Sequence, residues 1–192
     1  MLAGPLIGAT RTVKESAAMH SFTELVDRST AFTLDTLREA NDRTIQALET
    51  SGATTLVKNL QMIQLQKAIM AVGMFSVFEA SLQDGLGCDN GFQKAKDLLD
   101  QEGEHALKER FSDFFLAINA LKHGRGRSYE DLVKRAGSLP FRVKLPTEDF
   151  FFEGDVSEIS TLVEVNDVFV QDCADVIKAV SLIMRRVEPK FY

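Results

Sequence analysis

Apolar residues recur at helical spacing along most of this chain. Ser21-Phe22-Thr23-Glu24 is a capping box, in which the Ser and Glu side chains each satisfy an orphan amide of the other's residue. Phe22, Leu25, Val26, Phe32, Leu37, Ile45 and Leu48 then follow a helical stripe to about Ser51, and Gly52 ends it. Thr54 or Thr55 caps a second helix that runs to about Leu86. Its later half, with Val72, Met74, Phe75, Val77, Phe78 and Leu82, is apolar almost all round, which predicts a central, largely buried element. Asp89-Asn90-Gly91 is turn chemistry. Shorter helices are predicted over 92–101, 104–123 and 128–136. A last long stripe, from Ile159 through Leu162, Val163 and Phe169 to Val187, ends before Pro189.

The pattern changes once, over 140–154. Phe141-Arg142-Val143-Lys144-Leu145 alternates, Pro146 interrupts, and Phe150-Phe151-Phe152 follows. This predicts a small β-like excursion, with the three Phe serving the core or self-association rather than a ligand groove. The fold class is therefore all-α: an antiparallel helical bundle with long N- and C-terminal helices and a small β-like insertion near 140–154. Residues 1–19, with Gly4, Pro5 and Gly8 and little periodicity, read as a flexible lead-in. Residues 20–192 read as one helical domain.

Composition narrows the function classes. A net charge of −6 over 192 residues argues against a basic field spread over the whole surface, so any nucleic-acid contact must be a local patch. With no Trp and only two Tyr, the chain lacks stacking platforms for bases, and its 14 Phe point to core packing. Cys88 and Cys173, the only cysteines, read as free thiols of a reducing cytoplasm. The apolar run Ala68 to Phe78 is shorter than the roughly 20 residues of a membrane span, so a cytoplasmic protein without a membrane partner is expected. Phosphate loops, nucleotide-binding glycine motifs and a nucleophile elbow are absent. Glu102-Gly103-Glu104-His105 carries one Glu-x-x-His spacing. A carboxylate-bridged di-metal bundle needs two such motifs and further carboxylates, so neither a metal nor another cofactor is expected. His20 and His105 read as surface histidines.

Chemistry concentrates in Asn119-Ala120-Leu121-Lys122-His123-Gly124-Arg125-Gly126-Arg127-Ser128. Asn119 and His123 are one helical turn apart and share a face. Gly124 is a helix stop and Ser128 an N-cap for the next helix. An imidazole at a helix C-terminus meets the negative end of the dipole and suits acid–base work near neutral pH. Lys122, Arg125 and Arg127, with the free amides of the following helix, suit a phosphate. The same pattern also arises from ordinary C-terminal capping followed by a solvated loop.

Two segments together resemble the HEPN superfamily of small helical bundles. Met74-Phe75-Ser76-Val77-Phe78-Glu79-Ala80-Ser81-Leu82 is similar to an apolar segment ending in glutamate in an early helix of such proteins. Ile118-Asn119-Ala120-Leu121-Lys122-His123-Gly124 is similar to their Arg-polar-x-x-x-His signature, with His123 on the signature His and Asn119 on the polar residue. The resemblance covers roughly residues 55–135. It implies a homodimer that binds RNA or a partner protein, with His123 and Asn119 as catalytic candidates, while Lys122, Arg125 and Arg127 are the phosphate candidates of the segment's own residues. Many such proteins are metal-independent ribonucleases. Ile118 stands where the signature has Arg, which argues against turnover and for a binding or interaction module.

Overall fold

The computed structural model describes residues 21–188 and Phe191. The expectation of a flexible lead-in and the reading of His20 lie outside them. Six helices form a bundle: α1 (Phe22–Leu48), α2 (Thr54–Leu86), α3 (Gly91–Gln101), α4 (His105–His123), α5 (Arg127–Lys134) and α6 (Asp167–Val187). A short 3-10 turn, Ala136–Ser138, follows α5. Side-chain caps set three of the starts. Ser21 accepts from the Glu24 amide, Asn90 from that of Gln93 and Asn166 from that of Phe169. Gly87 ends α2 in the left-handed conformation.

α1 and α2 run antiparallel: Phe22 stacks on Phe78 while Thr30 donates to Met74 Sδ. α6 returns antiparallel to α1, since Arg185 meets Thr23, Lys178 meets Asp27 and Asp167 meets Arg38. α2, 33 residues and about 50 Å long, touches α1, α3, α4 and α6. Its inner face carries Phe75 and Phe78, both buried. Phe111 of α4 lies 6.3 Å from Phe75, 6.2 Å from Phe78 and 5.5 Å from Phe92 of α3, ring centre to ring centre. Each such ring contributes roughly 1.5–3 kcal/mol by leaving water. Gly91 admits α3 to this cluster, because a Cβ there would meet Leu82 Cβ at 2.7 Å. Cys173 is buried and Cys88 half-buried, both as free thiols, and burial pushes the Cys173 thiol well up.

Three expectations are corrected. The last helix begins at Asp167, not near Ile159. Val143 and Val163 form an isolated antiparallel bridge, with Lys144 N donating to Leu162 O at 2.9 Å and Glu164 N to Arg142 O at 3.0 Å. Val163 and Val165 are both buried, the period of extended chain, and Asn166 caps the helix only afterwards. The β-like insertion thus reduces to this one bridge, and it pairs 143 with a segment outside 140–154. The second correction concerns α2, which is central but not largely buried. Its outer face, with Met62, Leu65, Ile69 and Val77, is open to solvent because the flanking segments cover only its sides. Third, the three Phe divide: Phe151 is buried, whereas Phe150 and Phe152 are exposed.

A buried ion pair holds the 140–160 segment. Lys144 Nζ lies 2.7 Å from Glu158 Oε1, both side chains 10 % exposed, and also donates to Asp149 O. The other Glu158 oxygen accepts from the Phe151 and Phe152 amides. Burial favours the neutral acid, but Lys144 and these two amides outweigh it and hold the Glu158 carboxyl below its ordinary value. Glu158→Gln leaves the Lys144 charge buried and should cost about 3 kcal/mol at neutral pH. Because the folded pKa is lowered, this contribution is complete above the ordinary glutamate range and is lost as the pH falls through the lowered value. Thermal melts of wild type and variant followed by circular dichroism should therefore converge on acidification. A gap independent of pH contradicts this assignment.

Candidate functional site

The α4–α5 junction is a tight corner. α4 stops at Gly124, whose φ of 74° and ψ of −144° lie in a region that side-chain-bearing residues rarely enter. The Gly124 amide closes the helix on Ala120 O. α5 then begins at Arg127, one residue earlier than expected. The N-cap is Gly126 rather than Ser128, so no side chain caps the first turn. The amides of Arg127, Ser128 and Tyr129 precede the first intrahelical donor, Glu130 N, which reaches Gly126 O.

Two long-range contacts fix the corner to the bundle. Tyr129 is buried beneath it and donates from its hydroxyl to Lys144 O at 2.6 Å. Arg135, just past α5, lies 2.9 Å from Asp113 on α4. Burial raises the Asp113 carboxyl pKa, against the opposing pull of Arg135 and with a smaller push from Glu109. Sequence reasoning passed over Tyr129. Its signal was a tyrosine, one of two in the chain, at a helix position that faces inward.

Asn119, His123, Gly124, Gly126, Arg127 and Ser128 line one open depression of about 240 Å³. The structure thus brings Asn119, His123 and Arg127 together, and adds Ser128 as a lining residue instead of a cap. Lys122 turns the other way, into an apolar groove beside Leu121 and α2. Arg125 sits on the exposed turn and lines neither. Ile118, one residue before Asn119, is 3 % exposed and packs into the core. His123 and Arg127 are exposed, and Asn119 is half-buried.

Three cations cluster around this corner. Among the described residues, Lys122, Arg125 and Arg127 form no salt bridge or side-chain hydrogen bond. Arg110, Arg135, Arg142 and Arg186, elsewhere among the described residues, each pair with a carboxylate, whereas Arg43, Lys58, Lys94 and Lys96 do not. Arg127 does bias Asp131, whose carboxyl is lowered chiefly by Lys134 and then by Arg135 and Arg127. No family model, curated protein or solved structure matches the chain. The chemistry must be read from the corner itself. Free guanidinium groups, an imidazole and uncapped amides at a helix start are all donors or cations, suited to an oxyanion of a phosphate.

The Glu-x-x-His segment is engaged piecemeal. His105 Nδ1 lies 3.1 Å from Asp100 Oδ1, while Glu102 and Glu104 both approach Arg186. Among the described residues no group of three or more His, Cys, Asp or Glu side chains converges as a metal site.

The corner's backbone gives a direct test. Gly124→Ala forces a Cβ into a glycine region and should cost about 1–3 kcal/mol in thermal or chemical unfolding. Gly126 is extended, with open space where a Cβ would stand, so Gly126→Ala should shift stability by less than about 0.5 kcal/mol. Equal effects at the two positions contradict this geometry.

Proposed function

We propose that this chain is a HEPN-like homodimer that binds single-stranded RNA through the phosphate backbone at the α4–α5 corner, without cleaving it. The observation that carries the reading is the pair of guanidinium groups, Arg125 and Arg127, that the corner of an acidic protein leaves without a salt bridge among the described residues, with Lys122 next to them in sequence but facing α2. Ion pairs neutralise most other exposed Arg side chains. Cations left free and adjacent to uncapped amides form a local field that attracts a polyanion. His123 and Asn119 line the depression as hydrogen-bonding groups for a phosphate or ribose. The absence of flat stacking residues fits recognition of backbone rather than sequence.

Ile118 supports binding over turnover. Metal-independent cleavage requires a cation to stabilise the charge that develops on phosphorus oxygens. The position that would supply it on the Asn119–His123 helix is an aliphatic side chain packed in the core. Arg127 is present at the depression, but it arrives from the next helix and leaves the signature position uncharged.

A fluorescent single-stranded RNA oligonucleotide, titrated with the full chain at low salt, should bind and remain intact in EDTA over hours. Arg125→Ala with Arg127→Ala should weaken binding and reduce the slope of log K against log salt by about 1.4, the loss of two phosphate contacts. His123→Ala should weaken binding only a few-fold. Cleavage that persists in EDTA and disappears in His123→Ala would overturn the non-cleaving assignment. No binding at low salt would overturn the RNA reading altogether.

A further inference from the structure

The outer face of α2 is apolar and uncovered: only 33 % of its most apolar window is buried inside the bundle. Met62, Leu65, Ile69 and Gly73 are exposed and follow one stripe, which runs on through exposed Val77 and Ala80. From Met62 to Gly73 the stripe is one wall of an open groove of about 880 Å³. The end of α4, with Leu121 and Lys122, and the segment 159–161, with Ile159, also line it. Along α2 the groove extends from Lys58 to Gly73, about 22 Å or four helical turns.

The lining is mostly aliphatic, with no aromatic ring and no carboxylate. Its only charges are Lys58 and Lys122, both exposed and, among the described residues, without an ion-pair partner. Lys67, the one other charge between Lys58 and Glu79, turns inward to Asp167 at 2.8 Å. An acidic protein thus borders this groove with cations alone. Gly73 answers no need of its own bundle. Glycine weakens a helix relative to alanine, yet a Cβ here would meet nothing within 4 Å. What the glycine supplies is close approach for a backbone seated in the groove.

We propose that this groove receives an amphipathic helix of a partner protein, with aliphatic side chains on Leu65, Ile69 and Gly73 and carboxylates on Lys58 and Lys122. A second copy presenting the same α2 face brings two more cations and no carboxylate before Glu79. RNA finds no ring to stack on here. A flat bilayer does not enter a concave groove. An anionic one would also meet Asp155, since Gln61 of the groove donates to the adjacent Val156 O at 3.2 Å. A small-molecule site encloses most of its ligand, whereas Met62 and Ile69 stay 55 % and 54 % exposed. A helix needs only one face covered. The groove and the polar depression share no lining residue, so partner binding and RNA binding are tested separately.

Two stapled helical peptides of about 18 residues are long enough to span the groove. Both carry leucine on one face; one has glutamate on its flanks and the other lysine. In fluorescence anisotropy the full chain should bind the glutamate peptide in the micromolar range, about tenfold tighter than the lysine peptide. Lys122→Glu should abolish or reverse that preference. Gly73→Leu should weaken both peptides about tenfold by filling the close approach, with circular dichroism and RNA affinity unchanged. A displayed library of helical peptides randomised at the flanks removes dependence on one designed sequence. Selection on the full chain should enrich aspartate and glutamate, and selection on Lys122→Glu should not. Failure to bind or enrich any peptide, a preference for lysine, or no effect of either variant would overturn the proposal. Self-association of the free chain that Gly73→Leu abolishes would do the same, as would binding of phosphatidylglycerol vesicles that Ile69→Glu removes. Absence of peptide binding with RNA binding intact would refute this groove and leave the corner's role standing.

Discussion

Packing of Phe75, Phe78, Phe92 and Phe111 against one another is the interaction on which the rest of this bundle depends. These rings come from three helices, and Phe111 touches all the others. They place α4 along α2, and α4 in turn carries Asn119 and His123 to its far end. The direction and length of α4 therefore fix where the polar corner falls. The constraint has a second consequence. α2 turns its inner face to four neighbours, and an apolar helix that spends one face on its own core is left with another exposed. The chain meets the first demand internally and leaves the second open.

The corner between α4 and α5 is rigid for reasons that lie outside it. Gly124 supplies a backbone conformation closed to other residues, Tyr129 ties α5 to Lys144, and Arg135 ties it to Asp113. Lys144 is held in turn by Glu158. With the surrounding charges engaged in these structural pairs, Lys122, Arg125 and Arg127 have no ion-pair partner among the described residues. The rigid backbone fixes where these side chains start, while each exposed cation still loses rotamer freedom on binding. The same logic describes how an acidic protein can carry a local cluster of cations.

Helix boundaries were legible where the sequence carried a cap. Ser21 marks an end that the structure keeps, and the turn read at Asp89-Asn90-Gly91 separates α2 from α3, whereas Ala53 and not Thr54 or Thr55 stands at the start of α2. The start of α6 was not legible, because Ile159, Leu162 and Val163 satisfy helical spacing while Val163 and Val165 also satisfy a strand's. A bridge to Val143, distant in sequence, decides between them. Ser128 looked like a cap, yet Gly126 took that position once Gly124 had set the turn. The grouping of Asn119, His123 and Arg127 followed from helical periodicity and a short loop, both local. The diversion of Lys122 toward α2 and the burial of Tyr129 depend on tertiary packing, which one-dimensional spacing does not encode. For the same reason an apolar run announced α2 as central without showing which of its faces the chain would cover.

The central claim is that the α4–α5 corner is a phosphate site. Backbone amide NMR of the full chain, titrated with a short single-stranded RNA, tests it most directly. The account predicts saturable shifts confined to the amides around Asn119–Ser128, strongest at Arg127, Ser128 and Tyr129, where α5 begins uncapped. Shifts elsewhere with a silent corner, or none at low salt, would contradict it.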